Sequence, residues 1–238
     1  MIELKQWSGS FVEGDHRYFR KDGKELLGIT GILHRRLFKD EYKDIPEWIL
    51  DNAAKRGSMI HSRVQLYDET GLGDDMPEVR YYGLLKNELR LEHIASEYLV
   101  SDDENYATAI DKVYHLEGTP DNEVIIGDVK TTSKFNREYV AWQLSIGAEF
   151  LERMNPGIKV VGFYGIWLRE DKYKGSIHKF IPIERKPSEI VKELLSCDIE
   201  DREFHCNLLP AFITDNIDRL MFLNEQIKQL TQEKEDIT

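Results

Sequence analysis

Tyr106-Ala-Thr-Ala-Ile-Asp-Lys-Val-Tyr-His115, Leu116-Glu-Gly-Thr-Pro-Asp-Asn122 and Glu123-Val-Ile-Ile-Gly-Asp-Val-Lys-Thr131 form one stretch in which two apolar-rich runs flank a turn. Gly118, Thr119, Pro120 and Asp121 are turn-forming residues, and their midpoint is position 119.5. In a symmetric antiparallel hairpin about that point, facing residues have numbers that sum to 239, as those of Asp111 and Asp128 do. The spacing therefore predicts two carboxylates opposite each other on one face, with Cβ atoms ~4.5–5.5 Å apart. Lys130, two residues after Asp128, is expected on the same face.

Like charges directly across a strand pair repel, so this arrangement asks for a cation or a raised carboxyl pKa. A hard divalent ion such as Mg²⁺ binds through one or two carboxylates plus substrate phosphate oxygens, with Lys130 beside it to orient or help deprotonate a water. Taken alone, Asp-x-Lys is common, and it equally describes two solvent-facing acids with a lysine partner. The run Val124-Ile-Ile126 before Asp128 belongs to an interior strand, however, where an unpaired acid is costly.

Outward from this hairpin, the pattern alternates between helices and strands. Residues 16–30 read as a short hairpin, and Thr30 as the cap of a helix through Leu37. Pro46 opens a helical segment to about Tyr67, carrying Trp48, Ala53, Ile60 and Val64. The acidic stretch Asp68 to Glu78 reads as a loop, and Pro77 as the start of a helix to about His93. Strand-like runs follow at about 96–101, 106–115 and 123–131, then a helix from about Asn136 to Met154. Lys159 to Leu168 and Ser176 to Ile183 read as a hairpin, and the chain from Pro187 as helical with a break near Pro210. The fold class is α/β or α+β, with a mixed central sheet flanked by helices.

The chain has 238 residues, which fits one domain, and no repeat, low-complexity tract or linker divides it. The motif-bearing core is expected at about 50–185 and a helical C-terminal extension at about 187–238. Leu220, Leu223, Ile227 and Leu230 in that extension make one apolar stripe, which suits packing on the domain and a short coiled-coil contact alike. Cys197 and Cys206 are the only cysteines, which excludes a disulfide framework, a four-thiolate zinc site and a four-cysteine cluster within the chain. There is no apolar run near the ~20 residues of a membrane span. Met1 to Gly14 lack the features of a signal peptide, so a cytoplasmic location without membrane contact is expected.

Lys and Arg number 32 against 44 Asp and Glu, for a net charge of −12. That balance argues against nonspecific coating of nucleic acid by the whole surface. The positive charge is local: residues 31–63 hold seven basic and five acidic residues, and residues 130–186 hold eleven and six. Two such segments make one phosphate-binding surface if the fold brings them together.

Ile126-Gly-Asp-Val-Lys-Thr131, preceded by Ala109-Ile-Asp-Lys-Val113, resembles the core of the PD-(D/E)XK nuclease superfamily. Three further motifs are similar to its RecB-type and phage recombination exonuclease branch: Arg56-Gly-Ser-Met-Ile-His61, Ser96-Glu97-Tyr98 and Trp142-Gln143-Leu144. The Ile29-Thr-Gly-Ile-Leu33 segment matches more loosely. The resemblance implies a restriction-endonuclease-like core and a Mg²⁺- or Mn²⁺-dependent DNA exonuclease of recombination and repair, plausibly phage-encoded. The partner class it implies is a single-strand annealing or single-strand-binding protein.

By the same resemblance Asp111, Asp128, the Val129 carbonyl and His61 bind the metal, and Glu97 holds a water or second ion. Asp102, Asp103 and Glu104 compete with Glu97 for that place. Lys130 positions the attacking water, and Gln143 contacts substrate or that water. Arg56, Thr131, Lys134 and Arg137 are the candidate DNA contacts. The family pattern differs at two places: glycine is frequent where this chain has Thr108, and an aromatic residue where it has Ile146-Gly147. Two rival readings share these residues, a structure- or site-specific endonuclease and a non-catalytic DNA-binding or assembly subunit with a relic fold.

Overall fold

The turn at Gly118, which has a positive φ of 88°, closes a hairpin of β5 (Tyr106–Leu116) and β6 (Glu123–Lys130). The paired residues are Lys112 with Gly127, Val113 with Ile126 and Tyr114 with Ile125, each pair summing to 239. The next pair of that register is Asp111 and Asp128. A computed structural model describes residues 2–12, 16–41, 43–171 and 175–205 of the chain. Two compact units are distinguished, Met1–Val191 and Lys192–Thr238.

The first unit begins with β1 (Ser10–Val12), β2 (Arg17–Phe19), β3 (Glu25–Gly28) and α1 (Ile29–Arg36). Gly28, not Thr30, is the residue before α1, and no side chain caps that helix. Helix α2 (Glu47–Thr70) runs three residues past Tyr67 and stops at Gly71, whose left-handed φ of 69° lets its N–H return to the Tyr67 carbonyl. Asp68 is thus helical rather than part of a loop. Helix α3 (Pro77–Glu88) is shorter than its apolar pattern predicts. Arg90 takes a left-handed φ of 53°, and the chain enters β4 (Leu91–Ser101) directly.

Helix α4 (Arg137–Met154) starts at Asn136, whose side chain accepts the Tyr139 N–H at 3.0 Å. Strands β7 (Lys159–Arg169) and β8 (Ile177–Ile183) pair antiparallel, and α5 (Ser188–Ile199) follows. Among the described residues, no helix is long and apolar enough to cross a membrane, and Cys197 is a free thiol. Cys206, Pro210 and the Leu220 to Leu230 stripe lie outside the described residues.

The eight strands form one mixed sheet, ordered β1-β2-β3-β5-β6-β7-β8, with β4 also paired to β5. Helices α2 and α3 cover one face, where Ile60, Val64, Val79 and Tyr82 pack with Tyr114, Ile125, Val129 and Ile166. Helices α1 and α4 lie together on the other. Strand β4 holds one edge of β5 from Ala107 to Leu116. The other edge is shared: β3 pairs with Tyr106 and Ala107, and β6 with Lys112 to Tyr114. The four residues between, Thr108–Asp111, have no strand beside them on that edge. Tyr18 of β2 meets the exposed ladder there, bonding the Ala109 backbone and the Thr108 side chain.

Candidate metal centre

The gap in the ladder is where the acids gather. Glu97 of β4 lies opposite Asp111 of β5 by register, between the pairs Ser96 with Lys112 and Tyr98 with Ile110. Glu97 itself leaves the ladder, with a left-handed φ of 47° unusual for a residue with a side chain. The bend reverses both strands. Ser96 and Lys112 face α2, with Lys112 Nζ 2.9 Å from Asp68. Two residues on, Tyr98 accepts a bond from Asn155 at the end of α4, and Ile110 packs by Gly147 of α4. Residues two apart on a regular strand share a face, so Glu97 and Asp111 sit on the crease.

His61 of α2 closes over these acids. Its Nδ1 is 3.5 Å from Glu97 Oε1 and 3.6 Å from Asp111 Oδ2, and one ligand atom from each of the three residues falls within 4.8 Å of the others. Its Nε2 is 3.0 Å from the Val129 carbonyl oxygen. Burial opposes a charge on the imidazole, but Asp111 and Glu97 outweigh it and raise the His61 pKa to about 9. A doubly protonated ring donates to Val129 through Nε2 and turns its second N–H toward the two carboxylates.

Asp128 is 4% exposed, and burial raises its carboxyl to about 6 against the pull of Lys130. Lys130 Nζ donates to Oδ1 at 2.9 Å and lies 2.7 Å from Oδ2, off the hydrogen-bonding direction. Burial works against the Lys130 charge as well, but Asp128 and Asp111 prevail and its pKa is raised. It is therefore a hydrogen-bond donor and not a proton acceptor. Tyr139 of α4 presents its ring 6.0 Å from the ammonium, a contact that the sequence motif does not contain. Asp111 Oδ2 accepts the Val129 N–H at 2.7 Å, which replaces the missing ladder bond between β5 and β6.

Asp111, Asp128 and Gln143 line a small cavity with Thr108 and Gly127, whose free volume of about 10 Å³ is that of one water-sized sphere. Among the described residues, Gln143 Oε1 is buried without a hydrogen-bond partner, and Asp128 Oδ2 is buried with the Lys130 ammonium 2.7 Å away. A space of that size beside two carboxylates and an unpaired amide oxygen fits a cation. Carboxylate and amide oxygens with one imidazole suit a hard divalent ion such as Mg²⁺ or Mn²⁺. His61, Glu97 and Asp111, whose ligand atoms lie within 4.8 Å of one another, are the residues that would hold it, and Asp111 shares the small cavity with Asp128 and Gln143.

The other expected site residues are placed as follows. The Val129 carbonyl already accepts from His61. Arg56 gives its guanidinium to Glu78, a buried acid of α3, so it ties α2 to α3. Arg137 donates to the Pro182 carbonyl at 2.5 Å. Lys134 is exposed on the loop after β6, where its carbonyl accepts from Thr132. Thr131 lies under α2, and a Cβ on Gly57 would meet its Oγ1 at 3.5 Å, an ordinary contact, so Gly57 is not sterically required there. Asp102 is used otherwise than Glu97: its Oδ1 accepts three backbone N–H groups of the β4 to β5 turn. At Gly147 a Cβ would come within 3.2 Å of the Ile110 side chain, so α4 and β5 approach closely there. No protein-family model matches the chain, and no curated protein matches it in sequence.

Proposed function

We propose that the chain is a divalent-metal-dependent deoxyribonuclease, an exonuclease acting on DNA ends in recombination or repair. The observation that carries this reading is the cluster of His61, Glu97 and Asp111, whose ligand atoms lie within 4.8 Å of one another, with Asp128 and its partner Lys130 on the neighbouring strand. Once His61 gives up its Nδ1 proton, three acids face the Lys130 ammonium alone, and a divalent ion would neutralise the two negative charges left over. Bound there, such an ion would offset charge on a phosphodiester and lower the pKa of a neighbouring water.

The chain's own groups then divide the remaining work. Lys130, held as a cation, donates a hydrogen bond to the attacking water or to a phosphoryl oxygen and fixes its line of approach. Gln143 Oε1, without a partner among the described residues, accepts from the same water. His61 pins the Val129 carbonyl, so the backbone between Asp128 and Lys130 cannot swing away. Charge placement agrees with DNA as the substrate. The part of α2 leading to His61 and the loop after Lys130 belong to the two segments of positive balance, 31–63 and 130–186.

The test is digestion of end-labelled linear DNA and covalently closed circular DNA with Mg²⁺, Mn²⁺ or EDTA. Loss of linear DNA that EDTA abolishes, with closed circles spared, is expected. Cleavage of closed circles would reassign the chain to the endonucleases, and no EDTA-sensitive cleavage of either substrate would remove the nuclease reading.

A further inference from the structure

On the α2 side of the crease lies a cluster of buried charge that takes no direct part in the site. Asp68, fully buried at its side chain, is 2.9 Å from Lys112 Nζ and 2.7 Å from Lys86 Nζ, and accepts from the Tyr82 hydroxyl at 2.6 Å. Tyr82 in turn meets Tyr114 at 2.7 Å. Burial works to raise Asp68, but Lys112, Lys86 and Tyr82 outweigh it and hold the carboxyl below its ordinary value. A buried ion pair is weak as a source of stability, since well-packed apolar residues commonly serve as well. Its geometry suggests another use.

Lys112 Nζ also donates to Ser96 Oγ at 2.8 Å, and the same oxygen lies 2.9 Å from His93 Nε2. Ser96 is the residue immediately before the left-handed Glu97. Lys112 is the residue immediately after Asp111, and Asp68 stands seven residues, two helical turns, beyond His61 on the same face of α2. One ammonium therefore touches the neighbours of Glu97 and Asp111 and the helix that carries His61. Without a restraint on Ser96, the ordinary extended conformation at Glu97 would restore alternation, put Ser96 and Tyr98 on one face and undo the bend at which the Glu97 carboxylate meets His61.

We infer that Lys112 is a positioning residue for the metal centre, acting through Ser96 to hold the bend that brings Glu97 to His61 and Asp111. The inference rests on the proposed metal site and gives Lys112, Ser96 and Asp68 a part in it. Residues that orient ligands in this way change metal affinity by about 10- to 100-fold when lost.

Lys112→Met leaves Asp68 short of a partner inside the protein and risks the fold, so Ser96→Ala is the decisive variant: it cuts the link and keeps the Lys112 to Asp68 pair. Mn²⁺ binding to the full chain, read by electron paramagnetic resonance of the free ion, is measured for wild type, Ser96→Ala, Ser96→Thr, Glu97→Gln and Ser96→Ala/Glu97→Gln. Expected are a loss of about 10-fold or more in Ser96→Ala, wild-type affinity in Ser96→Thr, and no additional loss from Ser96→Ala once Glu97 is Gln. Wild-type affinity in Ser96→Ala, or an equal loss in both backgrounds, would overturn the positioning role. Absence of Mn²⁺ binding by the wild type would overturn the metal centre itself and the inference with it, a failure visible before any variant is compared.

Discussion

His61 Nε2 lies 3.0 Å from the carbonyl oxygen of Val129, the residue between the second strand acid and the lysine. That bond decides which ring nitrogen is left for the acids, and it is why Nδ1 stands 3.5 Å from Glu97 and 3.6 Å from Asp111. A proton on Nδ1 occupies the direction in which a cation would be bound, so the two compete.

This competition sets a pH dependence. The His61 pKa is raised from 6.5 to about 9, so the stability it contributes is full below pH 6.5 and lost as pH rises through about 9. In EDTA the melting temperature should fall across that window, and His61→Gln should lack this fall. Mn²⁺ affinity should rise over the same range as the proton becomes easier to displace. Asp128 contributes an earlier fall, between its ordinary 3.8 and about 6, for the same reason of sign. Isothermal titration at several pH values checks the affinity, and a slope of zero between pH 6.5 and 9 would remove the charged His61.

Loss of the Lys130 ammonium should cost chemistry more than folding. Lys130→Ala is expected to lower EDTA-sensitive DNA degradation by about 100- to 1,000-fold, the scale of a donor aimed at developing charge. Asp128→Ala should abolish it. Unchanged far-ultraviolet circular dichroism would show that the sheet persists, and full activity in either variant would sink the assignment.

Gly165, the β7 partner of Asp128, has the Phe135 ring where a Cβ would stand. Gly165→Ala should therefore push Phe135 and the loop after β6 outward, at a cost of about 1–3 kcal/mol in urea denaturation. Phe135→Leu added to that variant should recover part of the loss. An unaltered midpoint in Gly165→Ala would contradict the close contact.

Asn136 caps α4, the helix that carries Gln143, by accepting the Tyr139 N–H at 3.0 Å. Asn136→Ala should cost about 1 kcal/mol, and Asn136→Ser less, because a serine oxygen serves the same N–H without setting a carboxylate against Glu41 Oε1, to which the Asn136 amide donates at 2.7 Å. Equal losses in the two variants would show that the cap is not what Asn136 supplies.

Much of this architecture is legible in the chain itself. Four turn-forming residues fix the register of β5 and β6 as far as Lys112 and Gly127, but the ladder stops one pair short of Asp111 and Asp128, where the Asp111 side chain takes the Val129 N–H instead. Asn136 and the apolar spacing after it announce α4. What the sequence hides is the crease at Glu97, because a left-handed bend held by distant side chains leaves no glycine to mark it. The same concealment covers Asp68 and Lys112: in a strand or a helix, a buried charge with partners is spelled like an exposed one. Helix α3 ends early for a similar reason, since Leu89 and Leu91 continue its apolar pattern while the turn at Arg90 ends it.

The unladdered stretch Thr108–Asp111 exists because two different strands take turns along one margin of β5. Its opening is a product of how the chain is threaded, and side-chain identity only decides what the opening holds. Substitutions at Asp111 or Asp128 can strip it of charge, yet the gap in the ladder persists so long as β3 and β6 keep their places. A descendant that shed every acid would inherit the same break between strands, its room redrawn by whatever side chains replaced Asp111 and Asp128.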